Sequence, residues 1–300
     1  MSEPAPTGSG RSDLVGIGLA ILGAVAFGTL AIFAKQAYAA GAQAIPLLAL
    51  RFTVTSVLLV ALHAVTRRPM WLGGRRTSRL LLLGGIGYGL ESALFFLALE
   101  RAPASVVGLV FYSYPIWTTL LAIALRLERF ERRLALALAV GATGVASIFS
   151  LTSTPLVGPL LALGAAVVVA IFYIGAQLLS SGTPPATAAT WTAIGAALSL
   201  AAVTSALRVG LPSEALVPAV GLGVATAIAF ISTYAAIARI GSSRTSIANM
   251  MELVTTIALA TILLAEELTL RLVIGATLVL LAIPILASKK REALPAADAA

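Results

Sequence analysis

The chain is built from apolar runs, each long enough to cross a lipid bilayer, joined by connections too short to fold by themselves. A spanning helix needs about 20 mostly apolar residues to cover a hydrocarbon core of roughly 30 Å. Inside that core no water is present to satisfy backbone N–H and C=O groups, so the segment must bond them internally, as a helix does. Ten such runs fit, at 14–35, 45–66, 79–99, 105–125, 134–150, 156–179, 186–207, 215–238, 243–265 and 270–287. They predict an all-α integral membrane protein. Composition agrees: 59% of the 300 residues are apolar and 11% charged, against about 25% charged in a soluble domain.

Ten spans leave no room for a soluble catalytic or sensing domain. Residues 1–12, rich in Pro, Gly and Ser, and the tail 289–300 read as disordered. The first run mimics a signal peptide through Arg11 and the small residues before Ala40, but it is long and nine further spans follow, so it is expected to stay attached. Cysteine is absent, which removes disulfides, thiolate nucleophiles and Cys-based metal sites.

Orientation follows from lysine and arginine in short loops. One side collects Arg11, the cluster Arg67 to Arg79, the cluster Arg126 to Arg133, Arg239, Arg244 and the tail from Lys289 to Arg291. The other holds only Lys35, Arg101, Arg208 and Arg271. Both termini are therefore expected in the cytoplasm of a bacterial-type inner membrane. The net charge of +8 is accounted for by loops that meet anionic headgroups, and nucleic acid is not an expected partner.

The sequence also matches itself. ALERAPAS from Ala98 lies over AIARIGSS from Ala236, so Arg101 pairs with Arg239 and Ser105 with Ser243; further on Thr118 pairs with Thr256 and Glu128 with Glu266. Upstream, Gln36 matches Gln177 and Gly41 matches Gly182. Residues 13–151 and 152–288 thus read as two five-helix repeats. An odd number of spans per copy turns the second upside down, which predicts a pseudo-two-fold axis in the membrane plane and a central cavity where the halves meet.

The first-span stretch FGTLAIFAKQA, the LRF at Leu50 to Phe52, the ALERAPAS turn and the PIWTTLLA that follows, in this order within ten spans, resemble the EamA-type exporters of the drug/metabolite transporter superfamily. Within that superfamily the chain looks most like the YddG-type exporters. The resemblance implies a transporter whose substrates are aromatic amino acids and methyl viologen.

Charges at bilayer depth are costly and mark functional candidates. They are few: Glu91, Glu252, Arg51 and, at a helix end, Lys35. Thr245, Asn249, Glu252 and Thr256 recur at helical spacing on one stripe of span nine, which cannot face lipid. The repeat carries that stripe onto Val107, Phe111, Tyr114 and Thr118 of span four. Span three adds Tyr88, Glu91 and Phe95, and span eight offers Thr226, Phe230 and Thr233. These four spans are expected to line one cavity, aromatic on one side and polar on the other, suited to a flat amphipathic zwitterion or organic cation. The alternative is that the polar groups only bond helix to helix.

Trp191, at a related depth in span seven, either lines the same cavity or packs between helices. Arg51 either snorkels to headgroups, pairs with Glu91 or holds a substrate carboxylate. Pro115 breaks span four as a hinge or a static kink. Gly85 and Gly223 lie in clusters of small residues that let backbones approach or slide. The stretch GIGYG lacks the pore helix of a potassium filter, and the single histidine and missing catalytic motifs leave an enzyme without a base, nucleophile or metal site. No cofactor and no ATP are expected, a small-molecule substrate and the bilayer are the expected partners, and a monomer is the expected unit.

Overall fold

A computed structural model describes residues 9–125 and 155–267 together with 269, 270, 273, 274, 277, 278 and 281. The described residues form α1 (Ser9–Gly28), α2 (Leu30–Ala39), α3 (Ala44–Thr66), α4 (Gly74–Leu82), a π-helical segment (Leu83–Tyr88), α5 (Gly89–Leu99), α6 (Ala104–Phe111), α7 (Tyr114–Ala124), α8 (Val157–Ser180), α9 (Pro185–Leu207), a 3₁₀ turn (Ser213–Ala215), α10 (Leu216–Ala248) and α11 (Met251–Leu264). No strand occurs among the described residues, and 6 helical segments there are long and apolar enough to span a membrane. The fifth expected span and most of the tenth lie outside the described residues.

The spans are apolar on every side because both their environments are dry. Inward faces pack as a core of small and aromatic residues, while Ile86, Val57, Val217 and Ile262 stand exposed where lipid tails are the solvent. Backbones approach where glycine permits it. A side chain at Gly84 would overlap the Thr192 carbonyl and one at Gly195 the Leu81 carbonyl, so the π-helical segment crosses α9 backbone against backbone.

The internal match has a structural counterpart. Gly41 and Gly182, paired in the sequence, both take positive φ (82° and 71°), a conformation that glycine adopts without strain. At the same offset, α3 and α9 are each 23 residues long and end on left-handed Arg67 and Arg208. The halves do not form separate bundles. Helix α1 packs along α10 and α11, α3 along α9 and α10, and α5 along α8, so most extensive contacts join one half to the other.

Two expectations about helix ends change. Span four divides into α6 and α7 at Tyr112 and Ser113, and the expected span nine divides at Asn249 and Met250, a nearly equivalent place in the repeat. At both breaks N–H groups turn to the carbonyl three residues back, Ser113 to Val110 and Glu252 to Asn249, so the helix tightens and restarts. Pro115 is in the first turn of α7, and because the half without an equivalent proline also breaks, proline alone does not make the interruption. The loop expected near 239–242 is instead assigned to α10. The chain nevertheless reverses here: Gly16 abuts Ile240, Gly23 abuts Ala229 and Thr233, and Gly28 abuts Glu252 and Thr255. A straight helix from 229 to 252 would carry Glu252 past Gly16, not back to Gly28.

Candidate functional site

Helices from both halves contribute short stretches to one chamber in the middle of the bundle. Its wall includes Arg51 of α3, Tyr88 of the π-helical segment, Glu91 and Phe95 of α5, Phe111 of α6, Tyr114 of α7, Phe230 of α10 and Glu252 of α11. The π turn precedes the α5 stripe, and Tyr88, Glu91 and Phe95, spaced by three and four, stay on one face beyond it. The cavity volume is about 40 Å³. That admits water molecules but is far below the roughly 300 Å³ at which small-molecule pockets begin. A larger solute enters only if the wall moves.

The wall is made of ring faces and edges. Tyr88 meets Phe230 at 4.7 Å and 90°, Phe95 meets Phe111 at 4.8 Å, and Tyr114 stacks on Tyr173 at 5.4 Å and 19°. Among these rings sit three ionisable groups. Arg51 is 1% exposed; its Nε donates to Thr226 Oγ1 at 2.7 Å, and its guanidinium lies 4.6 Å from the Phe52 centroid and 5.1 Å from that of Phe96. Glu91 is buried and accepts from Ser92 Oγ at 2.9 Å. Glu252 has the Tyr112 hydroxyl within hydrogen-bonding reach. None of the three forms an ion pair with a described residue. The only salt bridge among described residues is the surface pair Arg101 to Glu100 at 3.1 Å.

Other expected site residues lie elsewhere. Thr226 stands behind the wall, where it accepts from Arg51 and donates to the Leu222 carbonyl. Asn249 donates to the Tyr173 hydroxyl at 2.7 Å, and Thr256 donates to the Gly28 carbonyl at 3.4 Å, so two members of the span-nine stripe join helices and only Glu252 reaches the chamber. Thr118 donates to the Tyr114 carbonyl one turn back. Trp191 donates to the Met70 carbonyl at 2.8 Å and packs edge-on with Trp71, away from the chamber. Gly85 lies against the Gly195 carbonyl and Gly223 against Val54, both as close-packing positions.

A sequence profile of the EamA-like transporter family matches the chain twice, over residues 14–150 and 156–288. The chain belongs to the EamA-like transporter family. It is a multi-pass membrane transporter of the drug/metabolite transporter superfamily. A solved structure titled "Crystal structure of protein" shares the fold at TM-score 0.68 and 18% identity, covering 92% of this chain and 97% of that one. No curated protein matches it in sequence.

In this EamA-like chain the span assignment missed part of the chamber. Phe27 of α1 and Phe172 and Tyr173 of α8 also line it. The repeat pointed away from the α8 pair, whose counterparts Ala31 and Ile32 carry no rings. The usable signal was two adjacent aromatics in the middle of a span otherwise made of small and branched residues.

The two ends of the bundle differ. Beyond the chamber, the α8–α9 turn borders a second, polar cavity of about 290 Å³ lined by Gln177, Ser180, Thr183 and neighbours. Tyr234 and Ile237 line both cavities, and the Tyr234 hydroxyl bonds Thr192 Oγ1 at 2.8 Å. At the opposite end, where α8 starts against Ala102, carboxylates cap helix starts. Glu100 accepts from the Ala44 N–H at 2.6 Å, at the first residue of α3. Glu266 accepts from the N–H groups of Ala104 (2.8 Å) and Ser105 (3.1 Å) and from Ser105 Oγ (2.6 Å), at the start of α6. Lys35 Nζ donates to the Leu99 and Ala102 carbonyls, at 2.6 and 2.7 Å, at the end of α5. A carboxylate at a helix start and a cation at a helix end both complement the helix dipole.

Proposed function

We propose that this transporter exports small amphipathic metabolites, aromatic or other apolar amino acids and organic cations of the methyl viologen kind, from the cytoplasm across a bacterial-type inner membrane. The observation that carries the reading is the chamber itself: ring faces from both matched halves surround one guanidinium and two carboxyls at bilayer depth. Rings stack on flat apolar bodies and attract cations, while the ionisable groups meet the charged ends of an amphipathic solute. The net drive is the solute's own gradient or that of an ion.

The mechanism we propose is alternating access with the two halves inverted. Support comes from a central chamber of only about 40 Å³ bordered on one side by a larger polar cavity. Further support is the pairing of backbone features across the halves, Gly41 with Gly182 and Arg67 with Arg208. Because the halves interleave, the groups that move contain helices of both. Both termini face the cytoplasm in this reading, in line with the basic loops.

The test is counterflow into liposomes carrying purified protein, with a panel of labelled amino acids and organic cations. Exchange of aromatic solutes well above protein-free liposomes is expected. Exchange no faster than the protein-free control across the whole panel would remove the reading, and full flux after both Glu252→Ala and Tyr114→Ala would remove those two residues from the site.

A further inference from the structure

Arg51 has more donors than the described residues supply hydrogen-bond acceptors. A guanidinium carries five N–H donors, and its hydrogen-bond partners among the described residues are two neutral oxygens: the Thr226 hydroxyl, bonded to Nε, and the Tyr88 hydroxyl, within bonding reach; Glu91 and Glu252 act on it only through space. Its other close neighbours are the rings of Phe52 and Phe96. A charge at bilayer depth is costly unless it is paired, and ring faces offset only part of that cost. Glu91, the nearest candidate counter-ion, is turned to Ser92 and makes no ion pair with the guanidinium. Anchoring to headgroups, the snorkelling alternative, does not apply to a side chain that is 1% exposed and faces the central chamber.

We infer that Arg51 is the carboxylate-recognition residue of the chamber, and that the preferred solutes are those with a carboxylate beside an apolar or aromatic body. The inference rests on the exporter reading and deepens it. Thr226 fixes the guanidinium through Nε and Tyr88 can take one terminal N–H, which leaves the remaining N–H groups of the planar fork for a carboxylate. The rings of Phe95, Phe111 and Tyr114 line the wall where the body of the solute would stack. Glu252 lies in the same wall and is the group that meets an ammonium. On this assignment a dication without a carboxylate, such as methyl viologen, is the poorer solute, since it leaves the guanidinium unpaired and adds positive charge.

The test uses the full-length protein in liposomes with three solutes of common body: L-phenylalanine, phenethylamine, which lacks the carboxylate, and 3-phenylpropionate, which lacks the ammonium. The wild-type protein is expected to favour phenylalanine over phenethylamine by at least ~10-fold, the scale of a hydrogen-bonded charge. Arg51→Met is expected to abolish that preference by lowering phenylalanine and phenylpropionate flux at least ~10-fold while phenethylamine flux stays within about twofold. Arg51→Lys keeps the charge without the fork and is expected to fall between the two. Should Arg51→Met not fold, Arg51→Lys and competition on the wild type by L-phenylalaninamide, expected to be far weaker than by phenylalanine, carry the test.

A wild type that handles phenylalanine and phenethylamine alike overturns the assignment. So does a variant that loses all three fluxes equally, which marks Arg51 as a structural anchor. Wild-type liposomes that move none of the three while other members of the panel exchange overturn this assignment alone, whereas no exchange across the whole panel removes the exporter reading and this assignment with it.

Discussion

Removing the Glu266 carboxylate should loosen one end of the bundle by a calculable amount. Glu266 accepts three hydrogen bonds from the first turn of α6, two from backbone N–H groups and one from the Ser105 hydroxyl. It belongs to the second matched half and α6 to the first. Loss of a capping acceptor costs ~1 kcal/mol, within a range of about 0.5–2, and loss of a negative charge at a helix start adds ~0.3–1 kcal/mol. Glu266→Gln keeps the size and one acceptor but loses the charge, and Glu266→Ala loses everything. The full effect of Glu266→Ala is therefore about 2 kcal/mol, near 30-fold in the equilibrium between a docked and an undocked helix start. Hydrogen exchange of a peptide covering Ala104 to Phe111, in detergent-solubilised protein, reads that equilibrium directly. Glu266→Ala should speed exchange of the Ala104 and Ser105 amides by roughly 30-fold, with Glu266→Gln intermediate. Exchange within about threefold of wild type would show that the end is held by packing and not by the carboxylate.

Other outcomes follow from single contacts. Gly84→Val should sharply reduce the yield of monodisperse protein on gel filtration, because the new side chain overlaps the Thr192 carbonyl and forces α9 away from the π-helical segment. Trp191→Phe should leave counterflow unchanged, since that indole bonds Met70 away from the chamber, whereas Tyr114→Ala should lower flux of aromatic solutes by about tenfold. Tyr234→Phe removes the bond to Thr192, worth ~1 kcal/mol, and should speed labelling of a cysteine placed at Ser92 by about fivefold. The chain has no cysteine of its own, so the background in that assay is zero.

The sequence made some features readable and hid others for physical reasons. Hydropathy marks spans wherever lipid is the solvent, so α3 and α9 were found within a residue or two of their observed ends. Mid-span charge is rare enough that Arg51, Glu91 and Glu252 stood out, and the structure brings all three to one chamber. The break in span four was marked by Pro115 just beyond it, whereas that in span nine was not readable, because at Met250 the backbone changes by a few tens of degrees without glycine or proline at the break. Nor does a stripe on one helix reveal which of its members touch a cavity. Asn249 and Glu252 share a face, yet Asn249 is taken by Tyr173, a residue on α8 that no spacing within span nine could announce. Interleaving of the halves was hidden for the same reason, since contacts between distant segments leave no mark on local periodicity.

Tyr234 and Ile237 separate two spaces with a barrier the depth of two side chains. In a cycle that opens both ends, passage past Tyr234 needs one hydroxyl bond to let go and a ring to swing. Passage at the far end needs α6 to leave Glu266 and Lys35 to leave two carbonyls. Among the described residues Glu266 and Lys35 thus tie their end by five hydrogen bonds and Tyr234 ties the other by one, so loosening the two ends is chemically unequal.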